Sequence, residues 1–263
     1  MASKEWNSID NFKLESEEYY CVFLDILGYK KKSDDFFTNK YNLKDRFKRA
    51  IDIVLEQLEM MKTLNCINLD ELKIEFFSDS IILTHPVNKN TKDAIHNILH
   101  FSRIFASHLS FEELFVRGGI AKGYHVRENI NNKFPFLSSK ALERAYELES
   151  KYAKYPRIII DNNIITDIDA WNLKTFVIKN DGFHILHFSP QLINHDGNNT
   201  NDVLAEMEDI YDIYIHEEDD KIKAKYQWLL SYYYWTLTTI PNINLQYFKK
   251  FDVDSTNLFE KIK

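Results

Sequence analysis

Glycine, proline and cysteine are scarce in this chain of 263 residues, which contains 6 glycines, 5 prolines and 2 cysteines. Together with 44% apolar and 14% aromatic residues, this composition excludes a collagen-like, low-complexity or largely disordered chain. The two cysteines, Cys21 and Cys66, stand in apolar stretches and form no CxxC pair. Their arrangement argues against a disulfide scaffold or a cysteine-rich zinc site, and it predicts a reducing, cytoplasmic location.

An excess of basic residues is also missing, because 33 lysines and arginines stand against 40 aspartates and glutamates, for a net charge of -7. A sequence-independent nucleic-acid binder needs a basic face, so no nucleic-acid partner is expected. A polyanionic ligand can still bind where local lysines, a helix end or metal ions reverse the field. The longest aromatic-aliphatic run, residues 228–237, is shorter than the ~20 residues of a membrane span. The polar N-terminal stretch lacks the apolar core of a signal peptide, so we expect a soluble protein with no membrane partner.

The apolar pattern predicts an α+β fold in the order β-α-β-β-α-β, followed by another helix and further strands. A short, almost wholly apolar run at residues 19–27 indicates a central strand that is buried on both faces. Spacings of three and four predict helices at residues 43–64, 91–109 and 139–153. Two strands are predicted around a tight turn at residues 78–80. This order is the ferredoxin-like, split βαβ plan.

A polar stretch at residues 194–201 marks the clearest change in composition. We place a domain boundary there, between a catalytic α/β domain of residues 1–193 and a helical C-terminal extension of residues 194–263. The extension carries an aromatic stripe, for which packing in the core or at a subunit interface is expected: Trp228, Tyr232, Tyr233 and Trp235.

Two aspartates stand where predicted strands end: Asp25 interrupts the apolar strand, and Asp79 lies in the hairpin turn. Taken singly, each has an ordinary explanation, Asp25 as a turn cap or a partner of a lysine and Asp79 as an Asx turn. In a βαββαβ sheet the two positions are neighbours, and adjacent carboxylates repel unless a cation lies between them. Hard divalent ions prefer oxygen ligands, and a pair of such ions is the usual clamp for displacement at phosphorus.

Glu75 and residues 117–123 are weaker candidates. Alternation along the strand puts Lys73, Glu75 and Phe77 on one face, but an exposed glutamate explains Glu75 at least as well. Residues 117–123 (RGGIAKG) have backbone freedom and two cations. They do not form a P-loop, which needs G-x-x-x-x-G-K-[ST].

Four segments resemble the signature motifs of class III nucleotide cyclases, and the resemblance covers about residues 19–160. Residues 23–29 (FLDILGY) resemble the family's F-x-D-I-x-G-F, and residues 77–80 (FSDS) stand where the family has its Gly-Asp hairpin. Residues 116–123 (VRGGIAKG) are similar to R-x-G-I-x-x-G, and residues 141–149 (ALERAYELE) stand where the family has V-N-x-A-A-R-L-E. The resemblance implies a cyclase palm of the ferredoxin-like type.

The last of these segments departs from the family pattern, because Glu143 and Glu147 occupy the positions of the transition-state Asn and Arg. With residues 155–158 (YPRI) and residues 225–229 (KYQWL), this variant resembles the pyrimidine cyclases of bacterial Pycsar anti-phage systems. That resemblance implies a homodimer with active sites shared across the interface. It also implies that the enzyme makes cyclic UMP from UTP, or cyclic CMP from CTP, for a downstream effector.

The resemblance assigns roles to individual residues. The implied ligands of two Mn²⁺ or Mg²⁺ ions are Asp25, Asp79 and the Ile26 carbonyl. The backbone amides that would hold the triphosphate are those of Ile26, Leu27, Gly28 and Tyr29. Glu75 stands at the base-reading position of guanylate cyclases, and Phe136 holds the second such position. The cations that remain for nucleotide contact or transition-state charge are Arg117, Lys122, Lys140 and Arg144.

Three alternatives to a uridylate cyclase stay open from the sequence. One is a cytidylate cyclase, and another is an ordinary purine cyclase, which Glu75 favours. The third is a catalytically silent nucleotide-binding or dimerisation module, which Glu143 and Glu147 favour. Retention of both Asp25 and Asp79 argues against a silent module.

Overall fold

The computed structural model describes residues 16–63, 70–87, 91–130, 134–189, 200–241, 243–251, 253 and 258–262. Cys66 and the boundary predicted at residue 194 lie outside these ranges. Within them, no helix combines the length and the apolar character that crossing a membrane requires.

The elements follow the predicted order, with additions after the first strand and in the second half. The strands are β1 (Glu17–Ile26), β2 (Lys73–Phe77), β3 (Ser80–Pro86), β4 (Val116–Ile130), β5 (Phe134–Ser139), β6 (Ile158–Ile160), β7 (Val177–Asn180), β8 (Phe183–Leu186) and β9 (Glu260–Lys261). The α-helices are α1 (Tyr29–Phe37), α2 (Leu43–Thr63), α3 (Thr91–Phe111), α4 (Lys140–Glu147), α5 (Ala170–Phe176), α6 (Thr200–His216) and α7 (Asp220–Thr238). A π-helical turn, Leu148–Tyr152, continues α4.

The strands form one sheet in the order β2-β3-β1-β4-β6-β8-β7-β9, and β5 pairs with β4. The first four strands in this order are antiparallel neighbours, with β1 between β3 and β4. This is the strand order of the ferredoxin-like plan, so the predicted fold class is confirmed. The central position of β1 brings the end of that strand close to the β2–β3 turn.

Helices cover the two faces of the sheet differently. On one face, the Phe76 ring lies 5.4 Å from Phe47 of α2 and 6.3 Å from Phe105 of α3, measured between ring centroids. On the other face α4 packs closely over β4, because a Cβ atom at Gly119 would lie 2.3 Å from the Ala145 carbonyl oxygen. The register places Asp25 on the same face as α4.

We expect a Gly119→Ala variant to lose about 1–3 kcal/mol of stability, because the added methyl group overlaps backbone that a packed helix cannot easily move. Urea denaturation would measure this loss as a lower midpoint. Gly123→Ala is the graded control, since its Cβ would lie 3.0 Å from the Ala141 nitrogen and the loss should be smaller. Equal midpoints for Gly119→Ala and the unmodified protein would contradict the close packing of α4.

The C-terminal helices pack into the core. Trp228, Tyr232 and Tyr233 of α7 are buried, so core packing of the aromatic stripe is confirmed. The Tyr232 hydroxyl accepts hydrogen bonds from the backbone amides of Phe188 (2.9 Å) and Ser189 (3.1 Å). These bonds tie α7 to the segment that follows β8.

A buried carboxyl group, Glu206 of α6, joins α3 to α7. Its Oε1 accepts hydrogen bonds from the hydroxyls of Ser110 and Tyr233, each at 2.7 Å. Burial raises the pKa of Glu206 to about 7, and the neighbouring Asp209 adds to the effect. Its buried Oε2 has no hydrogen-bond partner among the described residues, which suits a protonated carboxyl group.

Between about pH 4.5 and pH 7 the unfolded chain therefore binds fewer protons at Glu206 than the folded chain does. The free energy of unfolding is expected to fall across this window, with a contribution from Glu206 of about 3 kcal/mol. Urea denaturation at several pH values should show a flatter pH dependence for Glu206→Gln than for the unmodified protein. An identical slope in the two proteins would contradict the raised pKa.

Candidate active site

The structure brings Asp25 and Asp79 together, as the strand order predicts. Asp25 pairs with Ser80 across the β1–β3 ladder, next to the turn that contains Asp79. The backbone amide of Ile26 donates a 2.9 Å hydrogen bond to the Asp79 carbonyl oxygen, which fixes the turn against the end of β1. Ser78 adopts the left-handed conformation that this tight turn requires, with φ of 57°.

Arg117 of β4 and Glu149 of the π-helical turn complete a charged cluster around Asp25. The Arg117 Nε donates a 3.0 Å hydrogen bond to Oδ2 of Asp25 and lies 2.7 Å from Oε1 of Glu149. The Glu149 side chain is only 3% exposed. Glu149 was not predicted as a site residue, and the sequence signal that marks it is its place at the end of the cyclase-like segment of residues 141–149.

The carboxyl groups of this cluster perturb one another. Burial raises the pKa of Asp25, Arg117 opposes that rise, and the Asp79 charge adds to it. Burial also raises the pKa of Glu149 to about 7, with Arg117 opposing and with Asp25 and Asp79 adding. One guanidinium is therefore shared between two acids, Asp25 and Glu149, and the nearby charge of Asp79 acts on both. This excess of acids favours an additional cation.

The chemistry of these donors fits a divalent metal ion whose remaining coordination positions are filled by substrate. Asp25, Asp79 and the Ile26 carbonyl at the end of β1 offer hard oxygen ligands, and Arg117 takes only one oxygen of Asp25. Within the described ranges, no three His, Cys, Asp or Glu side chains are grouped to hold a metal by themselves. Magnesium is commonly bound in this incomplete way, through one or two carboxylates together with substrate phosphates.

The loop after β1 corrects part of the expected phosphate site. The Ile26 amide is engaged by Asp79, and the Leu27 amide donates a 2.8 Å hydrogen bond to the Phe115 carbonyl oxygen. These two amides donate hydrogen bonds within the protein, so they are not available to a phosphate. Gly28 has φ of 70°, which favours glycine, and it starts α1 with no side-chain cap. For the amides of Gly28 and Tyr29, at the start of α1, binding of the triphosphate stays a prediction.

Lys122 is not brought to Asp25. It pairs with Tyr20 across the β1–β4 ladder, whereas Asp25 pairs with Arg117, and this difference of five positions puts Lys122 on the opposite face. There the Lys122 Nζ forms a 2.6 Å ion pair with Asp167. The expectation of a catalytic role for Lys122 within one protomer is therefore corrected.

Arg144 is bound by carboxylates other than Asp25. Its Nε donates to Asp161 at 2.6 Å, and its Nη1 donates to Glu147 at 2.7 Å. Glu143 forms an exposed ion pair with Lys140. Helix α4 therefore presents a network of surface ion pairs where cyclases of the resembled family have Asn and Arg.

Glu75 lies on the same sheet face as Asp25 but is not free. Arg127 of β4 binds both of its carboxylate oxygens, with Nη1 at 2.6 Å from Oε2 and Nη2 on Oε1. The β4–β5 register pairs Phe136 with Glu128, one position from Arg127, which puts Phe136 on the opposite face from the Glu75–Arg127 pair. Arg127 is the residue that sequence reasoning missed at the position expected to read the base.

No family model and no curated protein matches this sequence. Among solved structures, the chain is similar to the crystal structure of the guanylyl cyclase Cya2, with 13% sequence identity and a TM-score of 0.42. The match covers 66% of this chain and 94% of that chain. A similarity of this size carries no conclusion about activity, so the proposed function stands on the residues themselves.

Proposed function

We propose that this protein is a metal-dependent pyrimidine nucleotide cyclase that converts UTP to 3′,5′-cyclic UMP and diphosphate. The observation that supports it most is the position of Asp25 at the end of β1, next to the turn that contains Asp79 and in contact with Arg117. These groups surround a point where a nucleotide could offer both a hydroxyl and a triphosphate. No side-chain nucleophile is required, because positioning and electrostatic stabilisation supply most of the rate in phosphoryl transfer.

In this reaction the 3′-hydroxyl oxygen forms a bond to the α-phosphorus, and the bond from that phosphorus to the bridging oxygen breaks. Diphosphate leaves, and the hydroxyl proton passes to solvent. Asp25, Asp79 and the Ile26 carbonyl would hold divalent ions, which would supply a lower pKa for the attacking hydroxyl and neutralisation of charge on the diphosphate. Arg117 holds Asp25 in place, and its positive charge would stabilise a triphosphate bound there.

The Glu75–Arg127 pair supports a pyrimidine base. Guanine recognition by Glu75 would need free carboxylate oxygens to accept from the guanine N–H groups, and Arg127 occupies both oxygens. An arginine has five N–H donors, so Arg127 keeps donors for a base that offers carbonyl acceptors. Uracil has two such carbonyls, cytosine and guanine have one each, and adenine has none. The number of carbonyls favours UTP. The occupied oxygens of Glu75 disfavour GTP, which leaves CTP as the alternative substrate.

The biological setting is proposed from the sequence resemblance. A homodimer would complete each site across the interface, and cyclic UMP would activate a separate effector in anti-phage defence. Assays of phage infection in cells that carry the intact protein or an Asp79→Ala variant would test this role. Equal protection by both would contradict it.

Incubation of the purified protein with Mn²⁺ and ATP, GTP, CTP or UTP separately, followed by mass spectrometry, tests the choice of base. The expected result is cyclic UMP as the main product, with less cyclic CMP. A purine cyclic nucleotide as the main product would favour an ordinary purine cyclase. No product from any nucleotide would favour a silent module.

A further inference from the structure

A cleft of about 290 Å³ lies beside the loop that follows β1, between α1 and the C-terminal helices. Its volume falls at the lower end of the range for small-molecule sites, so it suits a small anionic group better than a whole nucleotide. The loop and α1 contribute Gly28, Lys31 and Lys32. Helix α7 contributes Lys225 and Tyr226 from the opposite wall.

Carboxylates lie near the lysines of this cleft but form no ion pair with them among the described residues: Glu113 and Asp35 act on Lys32, and Asp25 and Asp219 act on Lys225. In the described part of the chain, no carboxylate lies within ion-pairing distance of Lys31, Lys32 or Lys225, although Asp35 and Glu217 also line the cleft. Lys32 is held by a 3.4 Å hydrogen bond to the Tyr41 hydroxyl. Burial lowers the pKa of Lys32 and of Lys225. Partly desolvated cations that form no ion pair are stabilised by a bound anion.

Lys225 connects this cleft to the Asp25 cluster. Lys225 lines the cleft, and its pKa is influenced by the charges of Arg117 and Asp25. Three residues later, Trp228 anchors the same helix in the core, where it stacks on Tyr232. The lysine is therefore carried by a rigid element and does not depend on a loop for its position.

We propose that this cleft binds the polyphosphate part of the nucleotide and that Lys225 of α7 is one of its phosphate-binding residues. The inference rests on the proposed function for the identity of the nucleotide, but the anion site can be tested without it. In this arrangement the C-terminal helices are part of the substrate site, because α7 contributes Lys225 to the cleft. The diphosphate would occupy the cleft, and the base and ribose would lie outward over the sheet.

Calorimetric titration with sodium tripolyphosphate, in the presence of a chelator that removes divalent metals, tests the site directly. We expect Lys225→Met to weaken binding by about tenfold or more, since a charge-assisted hydrogen bond is lost. Lys225→Arg should retain most of the affinity. Lys221→Met is the matched control, because Lys221 lies on the exposed start of α7 outside the cleft, and it should bind as the unmodified protein does.

Thermal unfolding of the variants separates loss of binding from loss of fold. Absence of tripolyphosphate binding by the intact protein would overturn the inference, and so would equal binding by a folded Lys225→Met variant. If tripolyphosphate binding depends on Lys225 while no nucleotide is cyclised, the anion site stands and the proposed function falls.

Discussion

An Asp79→Ala variant is expected to lose about a thousandfold or more in kcat/KM for the cyclisation of UTP, which corresponds to about 4 kcal/mol of transition-state stabilisation. The physical reason is that Asp79 is one of the two carboxylates that we assign as metal ligands, so its removal would weaken the binding of the metal ions. Stability should change little, because the hydrogen bond that fixes the turn uses the backbone carbonyl of Asp79, which alanine retains.

Steady-state assays with Mn²⁺ and UTP measure this effect. Asp34→Ala is the matched control, since Asp34 is an exposed aspartate on α1 and belongs to no part of the site. The control should retain its activity. An Asp79→Ala protein with undiminished cyclase activity would rule out the two-carboxylate account of the site.

An Arg127→Leu variant is expected to reduce the preference for UTP over GTP by about tenfold to a hundredfold. The change frees both oxygens of Glu75 to accept from guanine, and it removes the donors that we assign to uracil. An unpaired buried polar group costs about 1–3 kcal/mol, which sets the size of the expected change. The ratio of kcat/KM values for the two nucleotides measures it.

The matched control for this change is Arg49→Leu. Arg49 of α2 also binds a glutamate through two nitrogens, at 2.8 and 2.6 Å from the oxygens of Glu112, but it lies on the outer surface. Its loss should leave the preference for UTP unaltered. If Arg127→Leu also leaves that preference unaltered, the base is read elsewhere.

The central strand and the acidic turn were predictable because strong local signals mark them. The apolar run of β1 and the break at Asp25 are visible in the residues alone, and the strand order then makes Asp79 its neighbour. Helix α1 was not predicted, because it is short and mostly polar, and only Tyr29 and Phe36 of it pack against the core. Strand β5 and helix α5 were not predicted either, because each is short.

The other differences between the predicted and the observed site arise from strand register and from the distance between residues along the chain. A single-residue step moves a side chain to the opposite face of a sheet, so Lys122 could not be placed before its pairing with Tyr20 was known. Glu75 and Arg127, which form an ion pair across the sheet, are 52 residues apart in the sequence. Lys225 lies about 200 residues after the β1 loop, and only the packing of α7 brings it there.

The most direct test of the central claim is the stoichiometry of the products that the purified protein forms from UTP and Mn²⁺. An intramolecular attack by the 3′-hydroxyl predicts cyclic UMP and diphosphate in equal amounts, with both products lost together in Asp79→Ala. Release of orthophosphate in place of diphosphate, or diphosphate without cyclic UMP, would contradict a cyclase and indicate a hydrolase at the same carboxylates.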